Sequence, residues 1–313
     1  MMAPFPGTME DVLNRIEVDK ILEECWKNPD AGYEIQPTDE WIVNNQQQQQ
    51  DGYYFDILEQ DTFVEDTTIA RKKPSTYGEI TSLGARQLFG VMGLLDCPQQ
   101  KQELPPIHFF DLGSGTGKLV GQVILELPHD RVISATGIEL SPSRHESAIR
   151  AKETLMRLPG AANDWSKFTK FDHGYRSNND IGDSLSQEVI RRSKNSKLEL
   201  IEGDLFDADI STATHIYVAS LCFPHNLMVR LEERLQTLLQ HQQEDPRNHT
   251  DDGSCPEDCV LQWVASLQPF PNNFGGIRPV VRFMEMSWTK PLGCAVYLYR
   301  CSDKRRNDRE GNK

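Results

Sequence analysis

The chain has 313 residues, 38% of them hydrophobic, which suits one large domain or a domain with a smaller appendage around a real core. Its 47 acidic side chains against 33 basic ones leave a formal net charge of −14, which argues against a surface built for extended phosphate contact. No apolar run approaches the 18 or so residues of a membrane-spanning helix. The opening MMAPFPGTMED has neither a basic n-region nor an apolar h-region, so a soluble intracellular chain without membrane contact is expected. The seven cysteines are odd in number and scattered from Cys25 to Cys301, so no disulfide framework is expected. Cys255 and Cys259 are the close pair. They lack further Cys or His at zinc-ligand spacing, so they read as loop thiols and no metal site is expected.

In residues 8–26, Thr8 stands three positions before Asp11, and Val12, Leu13, Ile16, Ile21 and Leu22 recur at helical spacing. This predicts a capped amphipathic helix, a small helical appendage packed on the main domain. It opens an N-terminal extension over 1–73 that is acidic across 30–68 and carries a glutamine run at 46–50, read as loop. Residues 74–81 lead into a helical pattern through Leu83, Leu88, Val91, Met92 and Leu95. From Ile107 the alternation is regular: a strand over 107–112, a helix over 117–127 and a strand over 132–139. Ser141-Pro142 caps a helix reaching Leu158. Residues 159–197 are polar and irregular and read as an insertion. Further strands are predicted over 198–201, 215–220 and 260–267, with a helix over 227–240. Residues 280–288 and 294–300 read as a closing strand pair around Lys290-Pro291-Leu292-Gly293. The alternation predicts a doubly wound α/β sheet of seven strands, the last antiparallel, within a domain over 74–301. A basic tail follows over 302–313, with Lys304, Arg305 and Arg306 at its start. It reads as a frayed terminus, with a weak contact to DNA or to a nuclear import receptor as the alternatives.

Residues 109–118 carry an apolar strand ending in Asp111 and a loop with Gly113, Gly115 and Gly117 at every second position. A strand feeding a helix through such a turn presents bare backbone N–H groups to a nucleotide-like ligand. A P-loop needs Gly where this chain has Leu112 and Ser or Thr where it has Leu119. The dinucleotide fingerprint needs Gly at Lys118, and its pyrophosphate does not welcome Asp111. An acid at the loop entrance suits a cation. S-adenosylmethionine carries an amino group and a sulfonium, and the D-x-G-x-G-x-G string resembles the first motif of the class I S-adenosylmethionine-dependent methyltransferases.

Ligands of open α/β sheets sit at the carboxyl ends of the strands, which singles out the polar residues there. Asp111 is assigned to the methionine amino group. Glu139 closes the second strand 22 residues after Gly117 and is placed to accept both ribose hydroxyls. Asp204, with Leu205 and Phe206 beside it, follows the third strand and is assigned to the adenine amino group. Ser220 ends the fourth strand, beside the expected acceptor. One carboxylate at a strand end is commonly a solvated turn residue; three in order after one glycine loop make a stronger pattern.

Several strings then align with one family. Thr76-Tyr77-Gly78-Glu79, Asp111-Leu112-Gly113-Ser114-Gly115, Gly137-Ile138-Glu139, Gly203-Asp204-Leu205, Ile216-Tyr217-Val218 through Phe223, Gln268-Pro269-Phe270 and Met286-Ser287-Trp288-Thr289 occur in the order seen in the disruptor-of-telomeric-silencing (DOT) family. The chain resembles these non-SET lysine methyltransferases, which modify a globular-core lysine of histone H3 in nucleosomes, over roughly residues 74–300. The resemblance implies a class I, Rossmann-like seven-stranded fold and S-adenosylmethionine as cofactor. It implies that Tyr77, Gly78, Glu79 and Thr81 close over the methionine end, with Gly113, Gly115, Gly117 and Lys118 in the loop. Phe223 and Trp288 would line the lysine channel, with Tyr297 a further aromatic candidate and Ser220 a hydrogen-bonding partner of the amine. A nuclear monomer acting on nucleosomal histone is expected.

The departures concern the acceptor. The family's Asn-Asn pair at the end of the fourth strand is Ala219-Ser220 here, the Gln closing its glycine loop is Lys118, and a late tyrosine is Val296. The large basic extension of some relatives is reduced to the short tail. Two other readings stay open on that ground: methylation of another protein or small molecule, and cofactor binding without catalysis.

Overall fold

The computed structural model describes residues 9–28, 32, 78–95, 105–128, 131–158, 197–244, 260–289 and 293–301. Among them, five helices and seven strands follow one another as α1 (Met9–Cys25), α2 (Ser82–Met92), β1 (Ile107–Leu112), α3 (Lys118–Glu126), β2 (Val132–Glu139), α4 (Pro142–Arg157), β3 (Lys197–Glu202), β4 (His215–Val218), α5 (His225–Glu244), β5 (Trp263–Ser266), β6 (Val280–Met284) and β7 (Cys294–Arg300). The expected Thr8 cap, glutamine run, Cys255–Cys259 pair and basic tail lie outside the described residues, as do 290–292 and nearly all of the predicted insertion.

The strands form one sheet in the order β3-β2-β1-β4-β5-β7-β6. β1 to β5 pair in parallel, and β7 runs antiparallel to both β5 and β6. This is the α/β, Rossmann-like fold of the class I methyltransferases. Connections through α3 and α4 carry the chain from β1 outward to β3. It then returns to lay β4 on the other side of β1, which puts the switch point, and its crevice, between β1 and β4.

Alternation along the strands builds two cores. Phe109, Ala135, Tyr217, Ala265, Val296 and Leu298 face α2 and α3, meeting Leu88, Phe89, Val120 and Ile124. Phe110, Leu112, Ile138, Val218, Val264 and Tyr299 face α5, meeting Met228, Leu231 and Leu235. α1 shares a third core with the domain, where Val18, Ile21, Leu22 and Cys25 are buried with Leu125 of α3 and Leu155 of α4. Arg86 of α2 binds Asp19 of α1 at 2.8 Å and Glu126 of α3 at 2.6 Å.

Two strands end two or more residues earlier than their sequence pattern suggests. β4 stops at Val218 because the next residues turn into a single 3₁₀ turn over Ser220–Cys222. β6 stops at Met284 because the following residues change partner. Met286 bridges antiparallel to Ile80, Thr81 N–H donates to the Glu285 carbonyl (3.2 Å), and Ser287 N–H donates to the Glu79 carbonyl (2.8 Å).

Candidate functional site

The site begins where β1 ends. Gly113, Gly115 and Gly117 have φ of 88°, 56° and 78°, the left-handed region that only glycine enters without strain. These angles fold the backbone back on β2, so that Gly113 and Ser114 N–H both donate to the Ile138 carbonyl (2.9 and 3.0 Å). Gly117 then caps α3, whose first residue is Lys118.

Three carboxylates converge on this loop. Asp111 is 3% exposed, and its Oδ1 is buried without a hydrogen-bond partner. Burial, reinforced by Glu139 and Glu79 nearby, holds its carboxyl well above the ordinary aspartate range. Glu139 is also buried. Its Oε2 accepts from Gly115 N–H (2.7 Å) and its Oε1 from Ser141 N–H (2.9 Å), which leaves each oxygen a second lone pair. Glu79 accepts a hydrogen bond from the Thr116 hydroxyl. Burial raises its pKa, opposed by that hydroxyl and by the Lys118 charge. A buried acid with an orphaned oxygen beside two further carboxylates is an electrostatic site for a cation.

The remaining cofactor candidates divide. Asp204 is exposed at the end of β3, and its Oδ1 accepts from Phe206 N–H (2.9 Å), an Asx turn. Arg234 of α5 fastens that turn by donating to the Leu205 carbonyl (2.8 Å) and to the Ala208 carbonyl. Arg230 lies over the Phe206 ring at 4.1 Å. Thr81 caps α2, accepting from Gly84 N–H (3.1 Å) while its hydroxyl donates to Glu285 Oε1 (2.8 Å). Tyr77 lies outside the described residues. Gly78 is overlaid by the Trp288 indole so closely that a Cβ there would stand 2.0 Å from Cε3. Residues 78–81 and 285–288, distant in sequence, are therefore one unit at the edge of the site.

On the acceptor side, the structure gives Ser220 a task other than amine binding. It is fully buried, with its hydroxyl 2.7 Å from that of Ser266 and accepting from Leu267 and Gln268 N–H (3.0 and 3.1 Å). Those bonds tie the end of β4 to the end of β5. The Gln268 amide then donates to the Ser220, Leu221 and Phe223 carbonyls (2.6, 2.9 and 3.1 Å), clamping the turn. The three aromatic candidates do not share one core. Phe223 and Tyr297 pack with the α5 layer, whereas Trp288 packs with the α2–α3 layer. Val296 is fully buried. Ala219 adjoins the loop, its Cβ 3.6 Å from where a Gly113 Cβ would stand.

Sequence reasoning gave no role to Thr116 or Trp26, and met Gln268 only as part of a DOT-like string. The Trp26 indole N–H at the end of α1 donates to the Thr116 carbonyl inside the glycine loop (2.8 Å). Nothing in local spacing marks such contacts, since each joins segments 37 or more residues apart.

No family model matches the chain, and no curated protein matches it. Several solved structures resemble it. An RNA methyltransferase from Salinibacter ruber in complex with S-adenosyl-L-homocysteine is 17% identical, over 69% of this chain and 89% of its own, with a TM-score of 0.33. The rRNA methyltransferase AviRa from Streptomyces viridochromogenes is 14% identical over 72% and 87%, with a TM-score of 0.37. Fibrillarin from Aeropyrum pernix with bound S-adenosyl-L-methionine is 12% identical over 69% and 76%, with a TM-score of 0.30.

Proposed function

We propose that this chain is an S-adenosylmethionine-dependent methyltransferase whose acceptor is a lysine of histone H3 in the nucleosome. The observation that carries the cofactor reading is the orphaned, buried Asp111 oxygen beside Glu139 and Glu79 at a loop of three left-handed glycines. When bound, S-adenosylmethionine supplies an electrophilic methyl group on its sulfonium. Asp111 and Glu79 would hold the ammonium end, the spare lone pairs of Glu139 would accept from the ribose hydroxyls, and Asp204 and Leu205 would flank the adenine.

The histone reading rests on the DOT-like strings. Its support is that the two least common of them, around Gly78-Glu79 and Ser287-Trp288, are hydrogen-bonded and stacked on each other next to the cofactor residues. An acidic body also suits a basic histone surface. The lysine approaches past Ala219 and Phe223, and the Gln268 clamp keeps that turn in place. A lysine of pKa near 10.4 must lose its proton first, at about 4.6 kcal/mol at pH 7. A poorly hydrated approach lowers that cost. On this reading the protein works in the nucleus as a monomer, its basic tail making at most a weak DNA contact.

The test has two arms. Calorimetry should detect S-adenosylmethionine binding, and Glu139→Ala should weaken it at least about tenfold, or 1.4 kcal/mol. Labelled cofactor with nucleosomes should mark histone H3. Labelling only of RNA, free peptides or small amines overturns the acceptor while leaving the methyltransferase; absence of cofactor binding overturns both.

A further inference from the structure

We infer that Trp26, which directly follows the N-terminal helix, is a positioning residue of the cofactor site, setting the glycine loop through Thr116 and thereby aiming Glu79. The inference deepens the cofactor reading above and rests on it. Its basis is a relay of two hydrogen bonds through one residue. The Trp26 indole N–H donates to the Thr116 carbonyl (2.8 Å), and the Thr116 hydroxyl donates to Glu79 Oε1. Thr116 lies between Gly115 and Gly117, both left-handed, in a stretch where the backbone itself has little conformational bias. A fixed anchor from outside the loop therefore selects its conformation.

The anchor is built to be fixed. The outer edge of the indole lies against α3 at Gly121, where a Cβ would stand 2.4 Å from Trp26 Cη2. Glycine inside a helix is unfavourable relative to alanine, and the close approach of the ring accounts for its presence. Upstream in α1, Asp19 takes two hydrogen bonds from Arg86 (2.8 and 3.0 Å), and Arg86 also binds Glu126 of α3. The chain is thus held at Asp19, through Arg86 of α2, which also binds Glu126 of α3, and at Trp26, directly against α3, the helix that the glycine loop feeds. Val18, Ile21, Leu22 and Cys25 supply the apolar contact around these two ties.

Trp26→Phe tests this in the full-length chain: it keeps an aromatic ring at the position and removes the N–H donor together with the outer indole atoms that meet Gly121, and the exchange readout separates the two losses. The expected result is a loss of S-adenosylmethionine affinity of about three- to tenfold by calorimetry, the size of one hydrogen bond. Hydrogen exchange at the amides of residues 113–118 should rise while that of α1 stays at the wild-type level. Thr116→Val breaks the second link, and the double variant should lose less affinity than the two single losses combined, because both act on one relay. Equal affinity and equal loop exchange in Trp26→Phe overturns the inference. Exchange raised throughout α1 and α3 also overturns it, since that signals general packing. Should Trp26→Phe not fold, Gly121→Ala displaces the ring from the other side and gives the same loop readout. A wild-type protein that fails to bind S-adenosylmethionine removes the cofactor reading, and the loop-exchange arm still decides the role of Trp26.

Discussion

Asp111 ends a buried strand with one carboxylate oxygen lacking a partner and two further carboxylates close by. Its carboxyl is held above the usual 3.8, so the folded state keeps this proton to a higher pH than the unfolded chain does. The linkage follows: this group favours the fold below about pH 3.8, and that contribution is lost as pH rises through the folded value. At neutral pH the buried carboxyl with its partnerless oxygen costs stability, on the order of 1–3 kcal/mol for a buried unsatisfied group. Asp111→Asn should therefore raise the melting temperature of the ligand-free protein by a few degrees at pH 7, by less at pH 4, and abolish detectable S-adenosylmethionine binding. Differential scanning calorimetry with and without cofactor checks this; a less stable variant, or one that binds normally, refutes the role given to Asp111. This residue was legible because its type and place, an acid closing an apolar strand before a glycine loop, are local. Ser220 was not. It sits at an equally suggestive strand end, but its hydroxyl partners come from residues 266–268, and no local pattern announces them.

The segment joining β5 to β6 shows the same division among elements. It carries no regular secondary structure beyond a single 3₁₀ turn, yet Asn273 and Phe274 sit at φ of 61° and 39°, uncommon for residues with side chains. Glu232, fully buried on α5, holds it by accepting from Asn272 N–H (2.7 Å) and Phe274 N–H (2.6 Å). Phe274 then stacks on Phe270 at 4.8 Å and meets Tyr299 at 5.1 Å, closing the α5 core. Glu232→Gln offers one carbonyl oxygen for the two amides and leaves the left-handed pair without its counterweight. A loss of about 2–3 kcal/mol is expected, seen as a melting temperature lower by roughly 5–10 °C. An unchanged melting curve would show that the aromatic stack alone keeps the turn. Sequence periodicity finds α5 through Leu227, Leu231, Leu235 and Leu238 and gives no reason to look at the acid on its buried side. The strand over 280–288 is a related case. Its pattern continues to Trp288, but after Met284 the backbone bonds to residues 79–81 rather than to β7.

At the scale of the molecule, the sheet was legible because parallel central strands bury both faces and their helices recur between them, both of which are written in hydrophobic spacing. How α1 joins it was not, because docking depends on side chains far apart in the chain. Deleting residues 1–28 tests that joint. It removes Val18, Ile21, Leu22 and Cys25, all at most 8% exposed, and uncovers Leu125 and Leu155. It also takes Asp19 from Arg86, which is itself only 8% exposed and keeps Glu126 as its remaining ion-pair partner. Four buried side chains at about 1.5–3 kcal/mol each set an upper bound near 12 kcal/mol, reduced by a compact unfolded reference. Even half of that rivals the 5–15 kcal/mol by which a domain is ordinarily stable. The shortened chain should melt at least about 10 °C lower, bind a hydrophobic dye, and lose cofactor affinity together with stability. Full-length Trp26→Phe should lose affinity alone. Separating the two losses distinguishes what α1 does for the core from what Trp26, just beyond it, does for the loop.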